Sequence, residues 1–189
     1  MSAASAPFGF RPAYSPIGFD RAKRYPIAAA YATAILKGQP VILATNGTVT
    51  AGTAAADLLG VFAGCEYVDA AGKPNVSPNW PAAQAVLAGT TPFAWVYDDP
   101  ENVYEVQADG SLAATSVGDQ ADVSNAAAGS TVTGQSQATM SATLAGAGVQ
   151  AQFRIVGLAL NQDNAWGDLF TVVQVKIARH QFIANKVAV

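Results

Sequence analysis

From Gly38 onward a turn signal cuts the chain every ten or so residues, and the pieces between are short β-branched and aromatic runs. Gln39 to Ala44 is an apolar run followed by Asn46-Gly47, a strong hairpin signal because a type I′ turn needs positive φ at both central residues. Thr48-Val49-Thr50 resumes the strand. Leu58 to Gly64 reads as a strand with glycine joints, and Tyr67 to Pro74 as strand and then turn. Pro92 to Tyr97 and Val103 to Gln107 are two further strands joined by Asp98 to Asn102, and Asp109-Gly110 turns the chain after them. Near the end, Gln152 to Leu160 and Leu169 to Ile177 flank a turn around Trp166. Asn75 to Pro81 reads as a loop anchored by Trp80. No alternation of strand and helix and no repeat of 20–50 residues is visible.

The leader obeys other rules. Pro7, Pro12, Pro16 and Pro26 interleave with Phe8, Phe10, Tyr14, Phe19 and Tyr25. Proline at that density excludes helix interiors and central strands. The aromatics need burial, yet so short a segment cannot build a core of its own. An extended arm laid over another surface meets both demands; the alternative is an arm folded back on its own domain. Residues 27–37 fit one short helix or a strand equally. Residues 111–151 are rich in Ala, Ser, Thr, Gly and Gln and lack aromatics, with Val117, Val123, Val132, Leu144 and Val149 scattered among them. Short strands and long loops suit that stretch. The expectation is an all-β fold, a β-sandwich or barrel of jelly-roll or β-tulip-like kind. An extended N-terminal arm over 1–37 would precede a β-rich domain over 38–189, with a small-residue-rich loop region at 111–151.

Charge divides along the same line. Residues 1–37 hold Arg11, Arg21, Lys23, Arg24 and Lys37 against one acid, Asp20, whereas 38–153 hold one base, Lys73, against ten acids. Charged residues make up only 12% of the chain, about half the ~25% of an average soluble domain. So little charge suits a protein that loses surface to partners. Cys65 is alone, so an intrachain disulfide and a cysteine-based metal site are excluded, and its apolar strand-like setting points to a buried inert thiol. The N-terminus lacks the basic and apolar regions of a secretory signal, and no run approaches 18 apolar residues, so assembly in the cytoplasm with no membrane partner is expected.

Chemistry is scarce. His180 is the only histidine, and one histidine with one cysteine cannot supply a zinc site or a positioned triad. The acids Asp98, Asp99, Glu101 and Glu105 form the best constellation. They fit a solvated hairpin turn better than a Ca²⁺ site or a carboxylate pair. Phosphate-binding loops are absent, and the acidic body opposes nucleic acid. Catalytic residues, metal ligands and cofactors are therefore all expected to be none, and the protein not an enzyme.

Lys37-Gly38-Gln39-Pro40-Val41-Ile42-Leu43, Asn46-Gly47-Thr48-Val49 and Leu59-Gly60-Val61-Phe62-Ala63-Gly64 resemble the head decoration, or cement, proteins of tailed bacteriophages. The Pro7-to-Pro12 leader (Pro-Phe-Gly-Phe-Arg-Pro) and Trp95-Val96-Tyr97-Asp98-Asp99-Pro100 are similar to phage structural proteins. The resemblance implies a β-rich, non-enzymatic virion protein on the capsid surface. Its partners would be the major capsid protein and its own copies, as homodimer or homotrimer at capsid symmetry axes. Phe8, Phe10, Arg11, Tyr14, Phe19, Arg21, Lys23, Arg24 and Tyr25 would then be the capsid-binding set, aromatics as anchors and cations as register. Two other readings stand beside it. One is another β-rich virion part such as a tail or minor capsid protein; the other is a carbohydrate- or Ca²⁺-binding β-sandwich using Trp80, Trp95 and the acidic hairpin.

Overall fold

A strand that contains proline lacks one ladder donor and is confined to sheet edges, and both strands of the leader lie there. The computed structural model describes residues 4–18 and 21–183. In chain order the strands are β1 (Arg11–Tyr14), β2 (Lys23–Pro26), β3 (Pro40–Leu43), β4 (Val49–Ala51), β5 (Gly60–Val68), β6 (Pro74–Ser77), β7 (Phe93–Tyr97) and β8 (Val103–Gln107). After a 3-10 turn at Ala114–Ser116 follow β9 (Gln120–Ala121), β10 (Val123–Ser124), β11 (Gly129–Ser130), β12 (Gln135–Ser136), β13 (Thr139–Met140), β14 (Phe153–Leu158) and β15 (Val172–Ile177). One sheet runs β1-β8-β15-β14-β9; the other runs β2-β7-β5-β3-β4, with β6 on the far end of β5. All these ladders are antiparallel, and two small ones, β10 with β13 and β11 with β12, accompany them. The all-β expectation is met by two main sheets sharing a core.

That core gathers Phe10, Val61, Tyr104, Val106, Phe153, Ile155, Val173 and Val175. The second sheet is also covered on its other face, where Ile27, Ile35, Val41, Leu59, Phe62, Trp80 and Val96 form a second cluster. Neighbours therefore part company: Leu58 and Val61 join the first cluster, Leu59 and Phe62 the second. Burial on both faces explains why these strands read as continuous apolar runs rather than alternating ones. Packing is tight where β5 begins. A Cβ on Gly60 would lie 2.1 Å from the Tyr97 carbonyl oxygen, so only glycine fits.

β7 and β8 are consecutive in the chain yet belong to different sheets, and Asp98 to Asn102 carries the chain across. The leader repeats that route. β1 pairs with β8 (Arg11 opposite Glu105) and β2 with β7 (Arg24 opposite Trp95), so each sheet gains one edge strand. Phe10 is fully buried and stacks on Phe153 with ring centroids 4.3 Å apart. Gln107, itself buried, accepts from the Ala6 N–H and donates to the Ala4 carbonyl. The expected free arm is thus corrected: its described residues are folded back on their own domain, because the body's edges meet their hydrogen-bonding and burial needs.

Smaller differences have local causes. Residues 27–37 form neither a helix nor a regular strand; Ile27 and Ile35 make isolated bridges to Val49 and Trp80. The Asn46-Gly47 hairpin is present, but its turn closes from the Gly47 N–H to the Ala44 carbonyl with positive φ at Gly47 and not at Asn46, so it is not type I′. Asn75 to Ser77, expected as loop, belongs to β6. The small-residue stretch supplies β9 to β13, and its Val123, Ala138 and Met140 are buried.

If the leader is part of the core, Phe10→Ala should destabilise the fold by about 3–5 kcal/mol, as large-to-small changes in cores do. Guanidinium denaturation followed by tryptophan fluorescence reads this directly. An unchanged midpoint would restore the detachable arm.

Candidate functional site

The described side chains expected to act together lie on and beside β1 and β2, the edge strands paired with β8 and β7. Arg11 forms an ion pair with Glu105, and its guanidinium sits 4.9 Å from the Phe8 ring centre. Arg24 pairs with Glu66 and lies 3.8 Å above the centre of the Phe93 ring. Lys23 Nζ is 3.0 Å from Asp98 Oδ2, and the Tyr25 hydroxyl donates to that same oxygen. Phe10 is in the core and unavailable as an anchor. Tyr14 is half exposed, and Arg21 is exposed with no ion-pair partner among the described residues. Phe19 lies outside the described residues.

The acidic constellation does not gather. Asp98 is buried against Lys23 and Tyr25, Glu101 pairs with Lys176, and Glu105 pairs with Arg11, while Asp99 accepts the Glu101 N–H and shapes the turn. Among the described residues no three His, Cys, Asp or Glu side chains group as a metal site. Trp80, expected on a loop, is fully buried, edge-on to Tyr67, and donates to the Tyr31 carbonyl. Cys65 is also buried; desolvation pushes its thiol up to about 12, and the sulfur donates to the Asn79 carbonyl.

Three cavities that share lining residues mark a groove across this region. A cavity of about 560 Å³ lies between Phe8, Arg11, Lys37, Ala63, Tyr97 and Gln135. A second, of about 370 Å³, shares Lys37 and Ala63 and continues past Trp95 to Val76. A third, of about 200 Å³, shares Val76 and ends between Arg24, Glu66 and Phe93. Phe93, Trp95 and Tyr97 are alternate residues of β7, so they share one face. Lys37 is exposed at the junction of the first two cavities, with no acid partner among the described residues. Trp95 was visible in the sequence as an aromatic and Lys37 as a base. The facing of β7 that joins them depends on sheet pairing, which the sequence does not display.

The Asp98 corner holds a second set of groups. His180 is buried beneath it, with Nε2 3.1 Å from the Asp98 carbonyl oxygen and Nδ1 accepting the Phe182 N–H at 3.1 Å. The hydrogen therefore sits on Nε2 and the ring is neutral. Burial lowers the His180 pKa, opposed by the carbonyls of Asp98 and Leu59 and by the charges of Asp98 and Asp99. The Tyr25 phenol is held protonated by burial first and then by the Asp98 carboxylate. Among the described residues Asp98 Oδ1 has no hydrogen-bond partner, so Oδ2 carries the compensation for a desolvated carboxylate.

Compared with known proteins, the chain matches no family model, no curated protein and no solved structure.

Two outcomes are expected at the corner. Tyr25→Phe removes a hydrogen bond to a buried carboxylate and should lower stability at pH 7 by about 1.5–3 kcal/mol in chemical denaturation. The folded His180 binds fewer protons than its unfolded form, whose pKa is about 6.5. Its contribution is thus complete above that value and is lost as pH falls from there through the lower folded pKa. The denaturation midpoint should drop between pH 7.5 and 5.5, and His180→Gln should flatten the drop.

Proposed function

We propose that the protein is a non-enzymatic virion component of the tailed-phage decoration type. It would bind the outer surface of a capsid through the face built by its leader and stabilise contacts between major capsid subunits. The observation that carries this reading is the groove: aromatic side chains of β7 and of the leader, bordered by Arg11, Lys37 and Arg24, form one open surface. Aromatic and arginine side chains dominate protein-binding surfaces. The likeness of Pro7 to Pro12 and of Lys37 to Gly64 to phage structural proteins supports the same reading.

The folded leader changes how such binding works. A rigid face loses less conformational entropy on docking than a free arm, so the binding set moves to exposed Tyr14, Arg21 and Lys37 with half-buried Phe8. Self-association as dimer or trimer at symmetry axes belongs to the same proposal, as does location on the virion. The carbohydrate alternative loses support, because Trp80 is buried and cannot stack on a sugar.

Purified protein should co-sediment with undecorated phage heads in a saturable way and raise the temperature at which they rupture, since a ligand of the assembled shell stabilises that state. Heads that neither bind the protein nor gain heat resistance would refute the decoration role.

A further inference from the structure

We propose that the groove over β5 and β7 is a docking track for an extended, acidic segment of a partner protein, with Lys37 receiving the acid. The proposal rests on the decoration reading only for who the partner is.

Spacing is the first argument. Tyr97, Trp95 and Phe93 recur on one face of β7 every ~6.6–6.8 Å, which is also the repeat of alternate side chains in an extended chain. A segment lying across this face can place successive side chains against successive aromatics. The floor opposite Trp95 is Gly64, flanked by Ala63, so no large side chain blocks close approach. Val76, 85% exposed on the neighbouring strand, extends the apolar strip. Both ladder sides of β5 and β7 are already paired, so the occupant lies on the face and does not add a strand.

Charge is the second argument. Of the three cations along the groove, Arg11 and Arg24 are matched by Glu105 and Glu66. Lys37 has no counter-charge among the described residues and stands midway along the track, where the first two cavities meet. A carboxylate brought by the occupant completes the pairing. One uncompensated cation is too few for a polyphosphate backbone, whose binding scales with the phosphates neutralised.

The test is calorimetric titration of the intact protein with two blocked decapeptides, one alternating threonine and glutamate and the other threonine and lysine. The glutamate peptide should bind saturably, the lysine peptide should not, and Lys37→Glu should weaken the glutamate peptide at least fivefold with an unchanged melting temperature. Trp95→Ala should weaken it as well. Absence of saturable binding, or binding indifferent to Lys37→Glu, overturns the track. So does displacement of the peptide by a neutral oligosaccharide such as maltohexaose, which would make this a sugar site. Undecorated heads form the second arm. Glutamate-peptide binding through Lys37 without head binding would defeat the decoration role and keep the track. Head binding by wild type and Lys37→Glu alike, with no peptide binding, would do the reverse.

Discussion

The buried carboxylate of Asp98 is the point on which three separate parts of the chain depend. It sits where the chain leaves one sheet for the other, and a charge taken out of water there must be matched by donors. Those donors come from β2, as Lys23 and Tyr25, while the backbone carbonyl of the same residue holds His180 from the C-terminal segment. One residue therefore links the leader, the crossover and the last described turn. A hydrophobic side chain there would leave Lys23 and Tyr25 without their acceptor, and β2 would keep only its ladder and the contacts of Arg24 with Glu66 and Phe93.

The uneven charge along the sequence is largely settled inside the molecule. Arg11, Lys23 and Arg24 of the leader meet Glu105, Asp98 and Glu66 of the body across the strand pairs that hold β1 and β2. The pairs made by Arg11 and Arg24, whose guanidinium side chains are more than half exposed, contribute only ~0–1 kcal/mol each, so their main effect is register. They favour Arg11 opposite Glu105 over a slipped pairing that would turn Phe10 out of the core. Arg21 and Lys37 are the leader cations left without an acid partner among the described residues.

Much of the fold was legible in the residues. The runs at Pro40–Leu43, Phe93–Tyr97, Val103–Gln107, Phe153–Leu158 and Val172–Ile177 are strands, as β-branched and aromatic patterning implies. The leader was not, because proline and aromatic content say that a segment is extended and needs burial without saying against what. Its partners lie about a hundred residues away in sequence, and a single chain carries no local trace of that pairing. The surroundings of Trp80 and His180 were not legible for a related reason: both are buried by non-adjacent segments, Ile35 with Tyr67 in one case and the Asp98 corner in the other. The groove was half legible, as residue types without their common face.

The pairing of Arg11 with Glu105 also sets an order of events during synthesis. β1 is made before its partner β8, 94 residues further on, and β2 before β7, 71 residues further on, delays of about 4–19 s at ~5–20 residues per second. Throughout that interval β1 and β2 present open edges and bare aromatics. Pro7, Pro12, Pro16 and Pro26 act then as guards, denying the waiting segment the regular ladder that would let it join a neighbouring nascent chain. Pro12 and Pro26, which confine these strands to sheet edges in the finished molecule, thus also protect the chain before the sheets exist.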